Sequence, residues 1–202
     1  TVDIPRLTET AAKHQVKFMV AQVLRFWPEY ERIKALYENR QYGRLLSGSM
    51  SRLGCYPAWS WDGWMMDERR SGLVPFDLHI HDLDFLVYAF GTPKNATRFR
   101  AKEKTQDYVS VVYEFDGFFV TADASWYASP VPFRMGFRFQ FEEAVAVYED
   151  NRLTIYERNG RILSAGEDAG ESDTLQLPKS DAYANEIRYF ADAVRNNTPI
   201  DR

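Results

Sequence analysis

Residues 71–91 read SGLVPFDLHIHDLDFLVYAFG, and the spacing of their apolar residues predicts a helix. Four of its apolar positions recur at the spacing of an α-helix, namely Phe76, Ile80, Leu83 and Val87. Gly91 stands where a C-cap glycine belongs, and Pro93 follows shortly after it. The pattern therefore predicts a helix over residues 74–90.

The segments on either side of this helix predict the rest of the architecture. Before it, residues 7–14 predict a short helix, 16–23 a strand, a second helix starts at Pro28, and 44–53 predict a strand. After it, alternating patterns predict strands over 97–104, 108–115, 118–127, 133–141, 144–148, 152–157 and 161–164, an acidic loop over 166–174 and a helix over 181–196. The expected fold class is α+β, with one large, open, mostly antiparallel sheet and helices on one face.

Composition narrows the possible functions. The 202 residues are 45% hydrophobic and carry a net charge of −4, which suits a globular domain without a basic surface for nucleic acid. No apolar run reaches the roughly 20 residues of a membrane span. A single cysteine, Cys55, rules out an internal disulfide and favours a reducing, cytoplasmic location. We therefore expect neither nucleic acid nor a membrane as a partner.

The segment from Asp77 to Asp84, DLHIHDLD, holds two of the three histidines of the chain. On a strand, His79 and His81 would point to one face and could share a zinc ion. On a helix they are about 200° apart and cannot do so. The helical spacing therefore disfavours a metal site.

The helical geometry groups other residues instead. Asp77, His81 and Asp84 lie at i, i+4 and i+7 and share one face. On this face Asp77 can reach an imidazole nitrogen of His81, which would fix its tautomer and raise its basicity. The alternative is that the two carboxylates only satisfy a half-buried histidine.

The stretch 71–91 resembles the signature of the glucose-fructose oxidoreductase/inositol dehydrogenase (Gfo/Idh/MocA) family. In that family a Gly-Gly pair leads into D-x-x-x-H-x-x-D and an apolar run that ends in glycine. Ser71 stands here in place of the first glycine. The segments VKFMVAQVLRFWPEYERIKALYENRQYGRLL (16–46) and DAYANEIRYFADAV (181–194) resemble other parts of the family pattern, so the resemblance covers nearly the whole chain.

The resemblance implies an NAD(P)-dependent oxidoreductase that acts on a sugar, cyclitol or related alcohol. It implies that residues 1–22 are the tail of an N-terminal Rossmann domain, a remnant helix and strand, and that residues 23–202 form the C-terminal substrate-binding and dimerisation domain. Neither G-x-G-x-x-G nor Glu-Lys-Pro occurs in the chain, so NAD or NADP is expected to bind mainly to a preceding domain, and these residues alone are expected to be inactive. His81 and Asp77 occupy the catalytic positions of the family.

Further residues are candidates for substrate binding. Arg25 matches an Arg-Phe motif of the family, with an ion pair inside the domain as the alternative. Trp61 and Trp64 lie in a predicted long loop over residues 55–70, and indole rings stack well on sugars. The alternative for these tryptophans is that they anchor the loop to the core. Arg134 is a weaker candidate.

The strands over 108–141 carry apolar residues on both predicted faces, which suggests that a second copy covers the open face of the sheet. We expect a homodimer, and a monomer in light scattering at micromolar concentration would contradict this. A competing hypothesis is a stand-alone ligand-binding or dimerisation module without enzymatic activity.

Overall fold

The computed structural model describes residues 3–165, 173–175, 177 and 181–202. The helices are Asp3–Lys13 (α1), Pro28–Glu38 (α2), Glu68–Ser71 (α3), Val74–Asp77 (α4), His79–Phe90 (α5) and Ala182–Asn196 (α6). The strands are Leu45–Cys55 (β1), Asn95–Glu103 (β2), Gln106–Glu114 (β3), Phe119–Tyr127 (β4), Arg134–Phe141 (β5), Ala144–Glu149 (β6), Arg152–Glu157 (β7), Ile162–Ser164 (β8) and Asp173–Thr174 (β9).

The strands of the described residues form one open sheet in the order β2-β3-β4-β1-β5-β6-β7-β8-β9. The pairs β1–β4 and β8–β9 are parallel, and every other pair is antiparallel. The glycine turns at Gly117 and Gly160 have positive φ and connect β3 to β4 and β7 to β8. The predicted α+β class with a mostly antiparallel open sheet is confirmed.

The core lies between one face of this sheet and the helices α2 and α5. Tyr30 of α2 stands at its centre, with ring centroids 4.9 Å from Phe85 of α5 and 5.0 Å from Phe137 of β5. Edge-to-face packing of this kind adds to the free energy gained by burying the rings. Helices α2 and α5 are therefore fixed against the middle of the sheet, as the predicted one-sided arrangement requires.

The opposite face of the sheet is more polar than predicted. Val111 pairs with Ala122 and Tyr113 with Val120, so the large apolar side chains of β3 and β4 share the helix-covered face. The open face carries Ser49, Ser51 and Asp123 beside Val112 and Phe119. The prediction that both faces are apolar is wrong in this part of the sheet, because the apolar residues are in phase across the strands.

Some predicted elements outside residues 74–90 differ from the structure. Residues 16–22 form no strand with the described residues, and Val16, Phe18 and Val20 are exposed. An extended segment becomes a strand only when a neighbouring strand bonds to it. The predicted long loop over 55–70 contains a 3₁₀ helix, Trp61–Met66, and most of α3. Of the predicted acidic loop over 166–174, residues 166–172 lie outside the described residues, whereas Asp173–Thr174 form β9.

Candidate functional site

The predicted helix over residues 74–90 is two helices, α4 and α5, which meet at Leu78. The amide of His81 donates to the carbonyl of Leu78, three residues back, at 3.3 Å. This is a tighter turn of the 3₁₀ type, and it joins the two helices. The step changes the phase between Asp77 on α4 and the residues of α5. The i, i+4 relation between Asp77 and His81 is therefore not that of a continuous helix.

The backbone before α4 adopts unusual angles. Gly72 has φ 75°, and Leu73 has φ 59° and ψ −154°, a region that residues other than glycine rarely enter. Such a residue costs about 1–3 kcal/mol and persists only where its surroundings hold it. The amide of Leu73 donates to the hydroxyl of Ser71 at 2.9 Å, and the amide of Val74 donates to buried Asp107 at 3.2 Å. These bonds set the direction of α4.

The face of α5 turned to the sheet differs from the apolar stripe that predicted the helix. Phe76 and Val87 are exposed, whereas His79 and Asp82 are buried together with Phe85, Leu86 and Ala89. Nε2 of His79 and the hydroxyl of Tyr113 share a hydrogen bond of 2.7 Å. A helix places His79 about 200° from His81, and the burial of His79 against β3 agrees with this.

Asp82 forms a buried ion pair with Arg52 of β1. The nitrogen Nη2 of Arg52 donates to Oδ1 of Asp82 at 3.0 Å, and the two residues are only 5% and 1% exposed. Sequence reasoning missed this pair. A signal exists, because Arg52 is two residues from buried Met50 and four from buried Gly48, in the inward phase of β1.

His81 is half-buried on the first turn of α5. Burial lowers its pKa, and the charge of Arg52 lowers it further, whereas Asp82, Asp84 and the main-chain carbonyl of Asp77 act in the opposite direction. Its Nδ1 makes no hydrogen bond of normal geometry with the described residues. His81 is therefore a neutral imidazole near pH 7 and can accept a proton.

The predicted hydrogen bond between the carboxylate of Asp77 and His81 is not formed among the described residues. Burial raises the pKa of Asp77, and the charge of Arg52 opposes this rise. Asp77 and His81 thus lie on either side of the tightened turn at Leu78, without a direct bond between their side chains. The charge of Arg52 lowers the pKa of both groups.

The structure shows the alternative arrangement for Arg25, an ion pair inside the domain. Its Nε donates to Asp84 at 2.8 Å, and a second bond from its Nη2 makes the contact bidentate. The guanidinium also lies 5.2 Å from the ring centroid of Tyr88. Asp84 therefore ties α5 to the 3₁₀ helix Val23–Phe26, while a role of Arg25 toward substrate stays a prediction.

The tryptophans of the loop point outward. Trp59, Trp61 and Trp64 are 80%, 81% and 37% exposed, so none of them is a core anchor. Buried Met65 fills that position, and the hydroxyl of Ser71 donates to its carbonyl at 2.7 Å. The loop is thus tied directly to the turn that precedes α4, and the indoles of Trp61 and Trp64 remain free to contact a ligand.

Arg134 lies apart from His81. It begins β5 on the open face, opposite Leu53, and lines a pocket of about 370 Å³ together with Ser49 and Asp123. Helix α5 packs on the other face of the sheet. The structure therefore does not bring Arg134 together with the pair His81 and Asp77, and its predicted contact with substrate is untested.

No three His, Cys, Asp or Glu side chains of the described residues come together in a way that could hold a metal ion. Within the same part of the chain, no helix combines the length and the apolar character that a membrane crossing requires.

The sequence matches the model of one known protein family. Residues 30–163 match the family model of the GFO/IDH/MocA C-terminal domain, which is more than half of the chain. No curated protein matches the sequence.

Solved structures share the fold. UDP-N-acetylglucosamine 3-dehydrogenase GnnA from Acidithiobacillus ferrooxidans is 20% identical, with a TM-score of 0.69 over 97% of this chain and 58% of that one. Levoglucosan dehydrogenase in complex with NADH and levoglucosan is 17% identical, with a TM-score of 0.72 over 92% and 59%. An oxidoreductase from Agrobacterium radiobacter in complex with NAD+, L-tartaric acid and magnesium is 18% identical, with a TM-score of 0.72 over 97% and 60%. The chain thus spans about three fifths of the length of these proteins.

Proposed function

The chain belongs to the GFO/IDH/MocA family of oxidoreductases through its C-terminal domain, and from this we propose that it is the substrate-binding and catalytic part of an NAD(P)-dependent dehydrogenase. The substrate is a hydroxyl or carbonyl compound of the sugar, cyclitol or related alcohol class. The observation that carries the proposal is a half-buried histidine, His81, at the position where the family signature has its catalytic histidine.

In the proposed reaction His81 accepts the proton of the substrate hydroxyl. A neutral imidazole with an unbonded Nδ1 is in the required state before the substrate arrives. Asp77, half-buried beside it, stabilises the imidazolium that forms. The absence of a direct bond between the two side chains does not argue against this pairing, because catalytic hydrogen bonds often tighten only when the substrate is bound.

When bound, the nicotinamide cofactor would take up the hydride from the carbon that carries the hydroxyl. The sequence has no glycine-rich turn of the G-x-G-x-x-G kind that holds a dinucleotide phosphate, so we assign cofactor binding to a separate N-terminal domain. The levoglucosan dehydrogenase and Agrobacterium structures hold NADH and NAD+, which supports a nicotinamide. NAD and NADP remain equal candidates.

The exposed indoles of Trp61 and Trp64 are proposed to contact the substrate. The hydroxyl of Ser71 bonds both to Met65 in their loop and to the amide of Leu73 just before α4. These bonds connect the loop to the helix that carries Asp77. Indole faces pack well against the C–H faces of sugars. We also retain the predicted homodimer through the open face of the sheet, where Val112 and Phe119 supply apolar contact area.

A dehydrogenase assay tests the proposed function. The full-length protein with NAD+ or NADP+ and a panel of sugars and cyclitols is expected to reduce the cofactor, followed by the absorbance of the reduced nicotinamide. Residues 1–202 alone serve as the control and are expected to show neither turnover nor tight cofactor binding. Micromolar binding of NAD(P) to these 202 residues would contradict the assignment.

A further inference from the structure

Polar atoms without partners collect around the first turn of α5. Among the described residues, Nε of Arg52, Oδ2 of Asp82, Nδ1 of His79 and Nδ1 of His81 are buried and make no hydrogen bond of normal geometry. Buried polar atoms are normally satisfied, and each exception calls for an explanation. Other such atoms occur elsewhere among the described residues, but these four belong to the first turn of α5 and to its ion-pair partner Arg52.

Stability alone does not explain this pair. Taking two charges out of water costs several kcal/mol per ion, and the attraction between them offsets this only when further hydrogen bonds satisfy both groups. Arg52 and Asp82 share one hydrogen bond of 3.0 Å, while Arg52 also contacts the sulfur of Met135 at 3.4 Å and faces the hydroxyl of Tyr30. Two apolar residues of similar volume would serve the core equally well.

The position of the pair suggests a different role. Asp82 follows His81 directly in the sequence, on the first turn of α5. Arg52 of β1 reaches this turn through its hydrogen bond to Asp82. Resting on the proposed function, we propose that Arg52 is a positioning residue for the reaction. Asp82 anchors its guanidinium, which supplies a fixed positive charge beneath the pair His81 and Asp77.

The charges that face His81 determine the direction of the effect. Asp82 and Asp84 of α5 and the carbonyl of Asp77 raise its pKa, whereas Arg52 lowers it and is the largest single influence after burial. The carboxylate of Asp84 is already bonded to Arg25. Arg52 thus favours the neutral, proton-accepting form of His81.

The same charge acts on Asp77 in a complementary way. Arg52 lowers the pKa of Asp77 against the effect of burial, which favours the ionised carboxylate. Arg52 itself faces Asp82 and the hydroxyl of Tyr30, and it is too deeply buried to meet a substrate directly. The charge of Arg52 therefore favours the neutral form of His81 and the ionised form of Asp77.

The test is the double variant Arg52→Met/Asp82→Leu in the full-length protein, which removes both charges while keeping the volume. Its control is Arg52→Lys, which keeps the positive charge. A second control, Arg44→Met/Glu142→Gln, removes the charges of a more exposed ion pair whose residues lie just before β1 and just after β5. The readouts are the NMR titration of His81, assigned with a His81→Gln variant, and the pH profile of kcat/KM for alcohol oxidation.

In the double variant we expect the titration of His81 and the acidic limb of kcat/KM to move together to higher pH, because Arg52 outweighs Asp82. Arg52→Lys and the second control are expected to leave both where they are in the parent protein. A His81 titration that does not move in the double variant would overturn the inference, as would a titration that moves while the limb of kcat/KM stays in place.

Failure of the proposed function is a separate outcome. If the parent protein oxidises no sugar or cyclitol with either cofactor, the dehydrogenase assignment falls, and the catalytic role of Arg52 falls with it. The NMR titration is then unaffected by that result and still reports whether Arg52 acts on His81.

Discussion

Replacing His81 with alanine in the full-length protein is expected to lower kcat by about 10²–10⁴-fold, the usual span for the loss of a general base. The physical reason is that the other imidazole of this segment, His79, is buried against Tyr113 and cannot take over the role of His81. Burial raises the pKa of Asp77, while the ordinary aspartate is a much weaker base than an imidazole. The measurement is steady-state kinetics with saturating substrate and cofactor.

The pH profile gives the same prediction a second readout. Burial and the charge of Arg52 lower the pKa of His81, so the neutral base persists below the ordinary histidine value of about 6.5. In the direction of alcohol oxidation, kcat/KM should stay level as the pH falls to that value and decrease only at lower pH. The His81→Ala variant should lose this acidic limb.

The chain offers two matched controls for this experiment. His14 is exposed at the end of α1, and His14→Ala should leave both stability and kcat unchanged. His79→Gln should lower the melting temperature, because it disturbs the buried hydrogen bond to Tyr113, while its kcat falls far less than that of His81→Ala. A nearly normal kcat for His81→Ala would make His81 a structural residue.

The largest effect on stability is expected at the ion pair beneath α5. Asp82→Ala leaves the guanidinium of Arg52 buried without its counter-charge, and this should lower the free energy of unfolding by about 3–5 kcal/mol. Urea denaturation followed by circular dichroism measures the loss. The variant Arg52→Met/Asp82→Leu should recover most of it, because an apolar pair of similar volume carries no desolvation cost.

An exposed ion pair provides the comparison. Lys94 and Asp116 form a bond of 2.7 Å, but both side chains are exposed to solvent, so Asp116→Ala should leave the denaturation midpoint almost unchanged. If Asp82→Ala shifted the midpoint as little as Asp116→Ala, the buried pair would not hold α5 on the sheet.

The period of the sequence predicted the existence of α5 but not the face it buries. The stripe Phe76, Ile80, Leu83 and Val87 repeats at helical spacing, yet Phe76 and Val87 are exposed and Asp82 is buried. Hydropathy alone cannot place a carboxylate inside, because its burial depends on a cation from a distant strand, here Arg52. The inward phase of Arg52 and the position of Asp82 predict a buried ion pair only when the two are considered together.

Other departures also depend on long-range partners. Residues 16–22 have the alternation of a strand, but no described strand lies beside them to accept their hydrogen bonds. The loop over 55–70 is rich in tryptophan, yet Met65 enters the core, since its flexible side chain fits the space left there. The β-meander was predictable because short turns, such as the one at Gly117, pair neighbouring segments of the chain.

The edge strand β2 has a consequence for how the domain behaves in solution. All nine of its residues are exposed, and such a strand presents free backbone groups that can pair with another molecule. Arg98, Arg100 and Lys102 alternate along the side turned toward the helices, and Arg100 is bonded there to Asp107. An incoming strand would have to lie beside these charges, which guards the sheet against edge-to-edge aggregation.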